Sequence, residues 1–164
     1  MNRVPFPRGY VDPQRTNTFL DTCAFDPKYH PEQQAAEKIR SLRDEDRISV
    51  ILAHSVRKEV DHPNTPPEVK AEAADMNYTI ETSLTSEEVS RSKQIHDALT
   101  GNGKQEKYAA DAKHVFEAGK RMGYFVTTDN RILAKRAVLE RLSGAVILRP
   151  SEWLRIYEDT ADNY

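Results

Sequence analysis

Four short runs constrain this chain more than any other feature: "NTFLD" (17–21), "ISVIL" (48–52), "YFVTTD" (124–129) and "AVILRP" (145–150). Each is shorter than a stable helix and almost continuously apolar, the mark of a strand buried on both faces. Helical patterns stand between them. "PKYHPEQQAAEKIRSLRDEDR" (27–47) places Ala35, Ile39 and Leu42 on one face, and "AHSVRKEVDH" (53–62) reads as a short helix. "GNGKQEKYAADAKHVFEAGKRMG" (101–123) aligns Tyr108, Ala112, Val115, Gly119 and Met122 in one stripe. "NRILAKRAVLERLSG" (130–144) reads as a helix with a glycine stop, and "SEWLRIYED" (151–159) as a short capped closing helix. Strands separated by helices imply parallel pairing, since each parallel connection needs a crossover. The pattern therefore predicts an α/β fold around a mainly parallel sheet covered on both faces.

A chain of 164 residues suits one domain. Residues 1–16, with Pro5, Pro7, Gly9 and Pro13, read as an irregular arm outside the core. A single domain is expected over 17–158, with a short tail at 159–164. Within it, 62–106 is polar; it reads as helical, anchored by Val89, Ile95 and Leu99 with Tyr78 and Ile80.

Charged residues make up 30% and hydrophobic ones 38%, with a formal net charge of -2, so neither a basic tail nor an acidic disordered segment is present. No apolar run approaches the roughly 18 residues of a bilayer span. "MNRVPFPRGYVDPQRTN" has no apolar signal core, which predicts a cytoplasmic protein with no membrane partner. The single cysteine, Cys23, excludes an internal disulfide and a cysteine zinc cluster.

Among 26 acidic residues, most belong to the solvated surface, so position must select the functional ones. Ligands of open parallel sheets bind beyond the carboxyl ends of the strands, where Asp21 follows "TFL" and Asp129 follows "FVTT". Asp111 falls on or beside the buried stripe of its helix, near the amino end. A carboxylate there is costly unless paired or bound to a cation. Glu59 lies in the short helix after "ISVIL", between Val56 and Val60. Carboxylates that converge from four segments repel one another unless a cation compensates them. With few sulfur or imidazole donors, that cation would be Mg²⁺ or Mn²⁺ rather than zinc. The chemistry this favours is metal-assisted hydrolysis of a phosphodiester.

Other arrangements are weaker. Cys23 with His114 has the residue types of a nucleophile and its base, but a lone cysteine after a buried strand reads first as a core residue. "GNGK" (101–104) lacks the first glycine and the closing Ser or Thr of a phosphate-binding loop. An aspartyl-phosphate site would want a second acid where Cys23 stands, and a receiver domain an acidic pair ahead of its Asp strand. Lys104, Lys107, Lys113, Arg131 and Lys135 offer a basic rim for a phosphate backbone.

The set "FLDT", "HSVRKEV" and "YAADAKHVFEAGKRMGYFVTTDNRIL" resembles the PIN-domain ribonucleases, including the VapC-like toxins. Its most specific part is Asp111 opening an alanine-containing helix, eighteen residues before the "TTD" that ends at Asp129. The resemblance spans roughly residues 17–150 and is weak between 62 and 105. It implies a three-layer α/β/α fold with sheet order 3-2-1-4-5. Asp21, Glu59, Asp111 and Asp129 would bind Mg²⁺ or Mn²⁺ and cut RNA through an activated water. Thr127 and Thr128 resemble the polar residue ahead of the last acid, and Thr128, Asn130, Arg131 and Lys107 would contact the substrate. A partner antitoxin protein and a homodimer are further implications, and a non-catalytic RNA- or protein-binding scaffold is the alternative. Where many members of the family carry Ser or Asn two residues after the first acid, this chain has Cys23, which weakens one expected polar contact around that acid.

Overall fold

The computed structural model of the chain describes residues 10–54, 57, 60–74 and 76–161. Its centre is a parallel sheet of five strands: β1 (Asn17–Leu20), β2 (Ser49–Leu52), β3 (Asn77–Tyr78), β4 (Tyr124–Val126) and β5 (Val146–Leu148). Their order across the sheet is β3-β2-β1-β4-β5, so β1 is central, flanked by β2 and β4. The α/β class, parallel pairing and 3-2-1-4-5 order agree with the expectation.

The strand sequences explain the two layers. Leu20, Val50, Leu52, Tyr124, Val126 and Leu148 point to one face, and Phe19, Ile51, Phe125 and Ile147 to the other. Helices α1 (Glu32–Asp44), α2 (Pro67–Ala74) and α7 (Pro150–Ala161) cover the first face with Ile39, Leu42, Ala73, Trp153 and Ile156. Trp153 is fully buried, and its Nε1–H donates to the buried Thr18 Oγ1 at 3.1 Å, which satisfies the indole donor. Helices α3 (Ser86–Thr100), α4 (Gln105–Lys120), α5 (Asn130–Ala134) and α6 (Arg136–Ser143) cover the second face with Ile95, Leu99, Val115, Phe116, Ile132 and Leu139.

Local chemistry sets the helix ends. Thr85 and Glu88 form a reciprocal capping box at the start of α3, and Gly144, at φ 82°, ends α6 in the left-handed conformation that favours glycine. Gly119 has a different role. A Cβ there would sit 2.2 Å from the Ser143 carbonyl oxygen, so its missing side chain lets α4 lie directly on the end of α6.

Several local expectations change. The polar 62–106 segment contains β3 between its helices, an edge strand paired with β2 through Ile51 with Asn77 and Leu52 with Tyr78. Val89 and Ile80 are exposed and anchor nothing; Ile95 and Leu99 carry that role. The stripe of α4 stops short of Met122, which follows the helix at φ 54° and is exposed. Residues 130–144 form two helices with a break at Lys135. The described end of the arm is not detached: Pro13 is buried, Tyr10 packs on the core, and the Tyr124 hydroxyl donates to the Val11 carbonyl. The final helix runs to Ala161, into the expected tail. No helix among the described residues is long and apolar enough to cross a membrane.

Candidate active site

The sheet ladder continues one residue past the strands and thereby places the first site residues. Asp21 N–H donates to the Val126 carbonyl and Thr127 N–H to that of Leu148, each at 2.9 Å. Because β1 and β4 are neighbours, Asp21 and the Thr127–Asp129 turn come side by side at the carboxyl edge. Asp129 caps α5, its Oδ1 accepting the Arg131 N–H at 2.9 Å.

Asp21 is only 4% exposed, so its charge survives only through its partners. Its Oδ1 accepts the Thr22 N–H at 2.9 Å, and its Oδ2 accepts the Thr127 hydroxyl at 2.8 Å. His114 Nδ1 lies 3.5 Å from Oδ1, reached from the buried face of α4. Burial alone would raise the Asp21 pKa, but hydrogen bonding and charge from His114, with the Thr127 and Cys23 bonds, bring it below the usual carboxylate value. The opposite holds for Asp111. Burial first, then the charges of Asp21 and Asp129, push it up to about 6, although Arg131 and His114 pull the other way. Asp129 is lowered chiefly by its hydrogen bond to Arg131. These effects place the three acids within one another's field.

Cys23 stands beside Asp21, where its thiol makes long contacts. Its Sγ lies 3.4 Å from Asp21 Oδ2 and 3.4 Å from Thr127 Oγ1, and accepts the Thr128 N–H at 3.4 Å. Although the residue reaches the surface, burial of the thiol and the adjacent Asp21 charge push its pKa up to about 12. Cys23 is therefore a thiol near neutrality, which removes it as a nucleophile.

The remaining site residues separate. Thr128 donates its hydroxyl to the Cys23 carbonyl at 3.1 Å, which stitches the two strand-end turns together. Asn130 and Lys107 are exposed at the rim, Lys107 Nζ lying 5.7 Å from the centre of the Tyr108 ring. Arg131 turns inward. Its Nε donates to Asp129 Oδ1 at 3.1 Å, and its Nη2 to Asp129 Oδ2 at 2.6 Å and to Asp111 Oδ2 at 3.3 Å. Glu59 lies outside the described residues. The expected rim also loses Lys135, whose Nζ donates to the Ala98 and Leu99 carbonyls.

A second polar group extends the same edge along α4. Buried Glu117 accepts the Thr79 hydroxyl at 3.4 Å and lies 3.7 Å from His54 Nδ1, while His54 N–H donates to Thr79 Oγ1 at 2.9 Å. His54 and Thr79 follow β2 and β3, so α4 presents Asp111, His114 and Glu117 in turn along the carboxyl edge. Residues Glu117 and Thr79 escaped sequence reasoning. A charge amid "HVFEAG" was the only available sign for the former, and the second depends on a strand whose sequence is polar.

Asp21, Asp111 and Asp129 supply oxygen donors alone, the donor type that a hard divalent cation prefers. Among the described residues, however, no group of three or more His, Cys, Asp or Glu is gathered closely enough to hold a metal ion. No family model, no curated protein and no solved structure matches the chain.

Proposed function

We propose that this chain is a metal-dependent endoribonuclease of the PIN-domain kind, hydrolysing RNA phosphodiester bonds with an activated water. The observation that carries this reading is the placement of Asp21 beside the Thr127–Asp129 turn at the carboxyl edge of one parallel sheet, with Asp111 of α4 joined to Asp129 through Arg131. Folding does not by itself require such a grouping, because like charges brought together out of water oppose the folded state. These residues, with Glu59, would hold Mg²⁺ or Mn²⁺. When bound, such an ion polarises a phosphoryl oxygen and lowers the pKa of a water.

The protein's own groups prepare that site. Thr127 and the Thr22 N–H bond both oxygens of Asp21, while the same Thr127 hydroxyl accepts the Asp129 N–H at 3.0 Å. One hydroxyl thus ties two acids to one another. Lys107 and Asn130, exposed beside them, are available to the RNA backbone. A role as the toxin of a toxin-antitoxin pair, with an antitoxin protein as partner, is a narrower form of this proposal. A neighbouring gene for a small protein with a DNA-binding head and a tail able to enter the acidic cleft would favour it.

Cleavage of single-stranded RNA in Mn²⁺ or Mg²⁺ tests the reading. Asp21→Asn or Asp111→Asn should reduce the rate by roughly 10²–10³-fold, the scale on which loss of one electrostatic catalytic group acts. Unchanged cleavage in either variant sinks the metal-site reading. A non-catalytic RNA-binding scaffold is the second reading, favoured by the Arg131 bridge between two of the acids. Wild-type protein that binds RNA but cuts it in neither metal would establish that one.

A further inference from the structure

Glu117, Thr79 and His54 form a polar group apart from the three acids, and their hydrogen-bond roles follow from counting donors. Glu117 stands one turn after His114 on α4 and is only 7% exposed. When ionised, a carboxylate only accepts hydrogen bonds. Thr79 has a single hydroxyl proton, which it gives to Glu117 Oε2 at 3.4 Å. Its oxygen is left to accept, and it takes the His54 N–H at 2.9 Å. His54 Nδ1 lies 3.3 Å from that same oxygen and 3.7 Å from Glu117 Oε1, so both groups that it meets are acceptors. Nδ1 therefore carries a hydrogen whether the ring is neutral or charged, and the proton that comes and goes is the one on Nε2. A buried carboxylate and a hydroxyl that fix one ring nitrogen in this way orient the imidazole for proton transfer at the other.

The fold sets this histidine beside Asp21. Phe19 pairs with Ile51 in the sheet, so two residues on Asp21 comes level with Ala53, one strand spacing of about 5 Å away, and His54 follows. Helix α4 repeats the placement: His114 faces Asp21, and Glu117, a turn later, faces His54. Lys120, three residues further, is turned to Glu88 and Thr82 instead, and His54 is the basic group that faces Glu117. The His54 side chain remains 26% exposed although its Nδ1 edge is turned to buried partners. We infer that His54 is the proton donor to the leaving oxygen of the RNA, with Glu117 and Thr79 as its positioning residues. This rests on the nuclease reading for its substrate, but not on which group activates the water. As the water oxygen bonds to phosphorus, the bond from phosphorus to the leaving ribose oxygen breaks and the Nε2 proton passes to that oxygen. The proton lost by the water goes to solvent, from which His54 is recharged. An alkoxide leaves poorly, so a proton delivered as the bond breaks lowers the barrier.

Replacing the leaving oxygen separates this role from a structural one, because a thiolate departs without a proton. The full chain is compared as wild type, His54→Asn and Glu117→Gln, after thermal denaturation has shown that each is folded. The substrates are one single-stranded RNA in Mn²⁺ and the same RNA with sulfur in place of the leaving oxygen at the mapped cut. Asparagine keeps a donor where Nδ1 stands but has no second nitrogen to release a proton. His54→Asn should lower kcat on RNA by roughly 10²–10⁴-fold with KM held, and the loss should vanish on the sulfur substrate. Glu117→Gln should cost roughly 10–100-fold on RNA, and again not on sulfur. Should one variant fail to fold, the other reads the same ratio. Ring-nitrogen NMR of the wild type in chelator, which needs neither metal nor RNA, should find neutral His54 protonated at Nδ1. Equal losses on the two substrates overturn the donor, as does an unchanged kcat in His54→Asn or a neutral ring protonated at Nε2. Any of these with wild type that cuts RNA removes the donor and keeps the nuclease. Wild type that cuts neither substrate removes the nuclease reading and the donor with it.

Discussion

The two ends of the sheet handle charge in opposite ways. Beyond the amino ends of β2 and β3 lies a cavity of about 640 Å³ lined by Arg43, Asp44, Asp46 and Arg47 among others. Its ion pairs are local: Arg43 with Asp44 at 3.1 Å, and Arg47 with Glu45 at 3.2 Å, the latter well exposed on both sides. Such local pairs between neighbours in sequence add little to stability. At the carboxyl end the pairs join distant segments, Asp21 to Thr127 and to His114, Arg131 to Asp111, and the acids are shielded. There the fold itself must hold charges together. A cavity alone would direct attention to the amino end, whereas desolvated charge gathered from separate segments makes the carboxyl end the candidate site.

This contrast is most severely tested through α4, which delivers Asp111, His114 and Glu117 to the carboxyl edge but contributes nothing to the amino-end cavity. Gly119→Ala should raise intrinsic helix propensity yet destabilise the protein, because the new Cβ meets the Ser143 backbone. Overpacking of this kind costs about 1–3 kcal/mol, or roughly 2–4 °C in Tm for each kcal/mol in a chain of this size. Thermal denaturation checks the stability, and RNA cleavage should fall further than the lost folded fraction explains. A variant as stable as wild type would mean that α4 is not held by that contact.

Much of this edge was legible because strand ends are legible. "TFL" before Asp21 and "FVTT" before Asp129 are buried apolar runs that stop at an acid, and parallel pairing brings such stops into line. The central order of strands required more, because β3 is a two-residue edge strand, Asn77–Tyr78, held by backbone pairing rather than by an apolar pattern. The setting of Arg131 depends on the assembled fold in a related way, since its guanidinium is held by Asp129 and Asp111. The chain shows which residues stand near the site, but whether an arginine faces phosphate or carboxylate is decided by the electrostatics of the assembled acids. Cys23 was expected to weaken a polar contact beside Asp21, and its thiol stands 3.4 Å from both Asp21 Oδ2 and Thr127 Oγ1.

A smaller effect separates two acids within the carboxyl edge. Asp21, with its pKa lowered on folding, stabilises the protein above the unfolded value, and that contribution is lost as pH falls through the folded one. Asp111 acts with the other sign. Its folded pKa is raised from 3.8 to about 6, so its favourable contribution is complete below 3.8 and disappears as pH rises through about 6. In chelator, the Tm of Asp111→Asn relative to wild type should therefore rise between pH 4 and pH 7 and level off above, offset by a constant loss of the Arg131 contact. A difference that stays flat over that range would show that Asp111 is not held against its neighbours.

The smallest change is expected at the amino end. Asp46 has φ 57°, a left-handed conformation that Asn adopts about as readily as Asp, and it lines the amino-end cavity. Asp46→Asn should thus remove a negative charge without backbone strain, shift stability by less than about 0.5 kcal/mol and leave RNA cleavage unchanged. The same chemical substitution at Asp21 removes the acid to which Thr127, Cys23 and His114 are all turned. If Asp46→Asn impaired cleavage as strongly as Asp21→Asn, charge at either end of the sheet would serve the reaction, and desolvation would no longer distinguish the site from the surface.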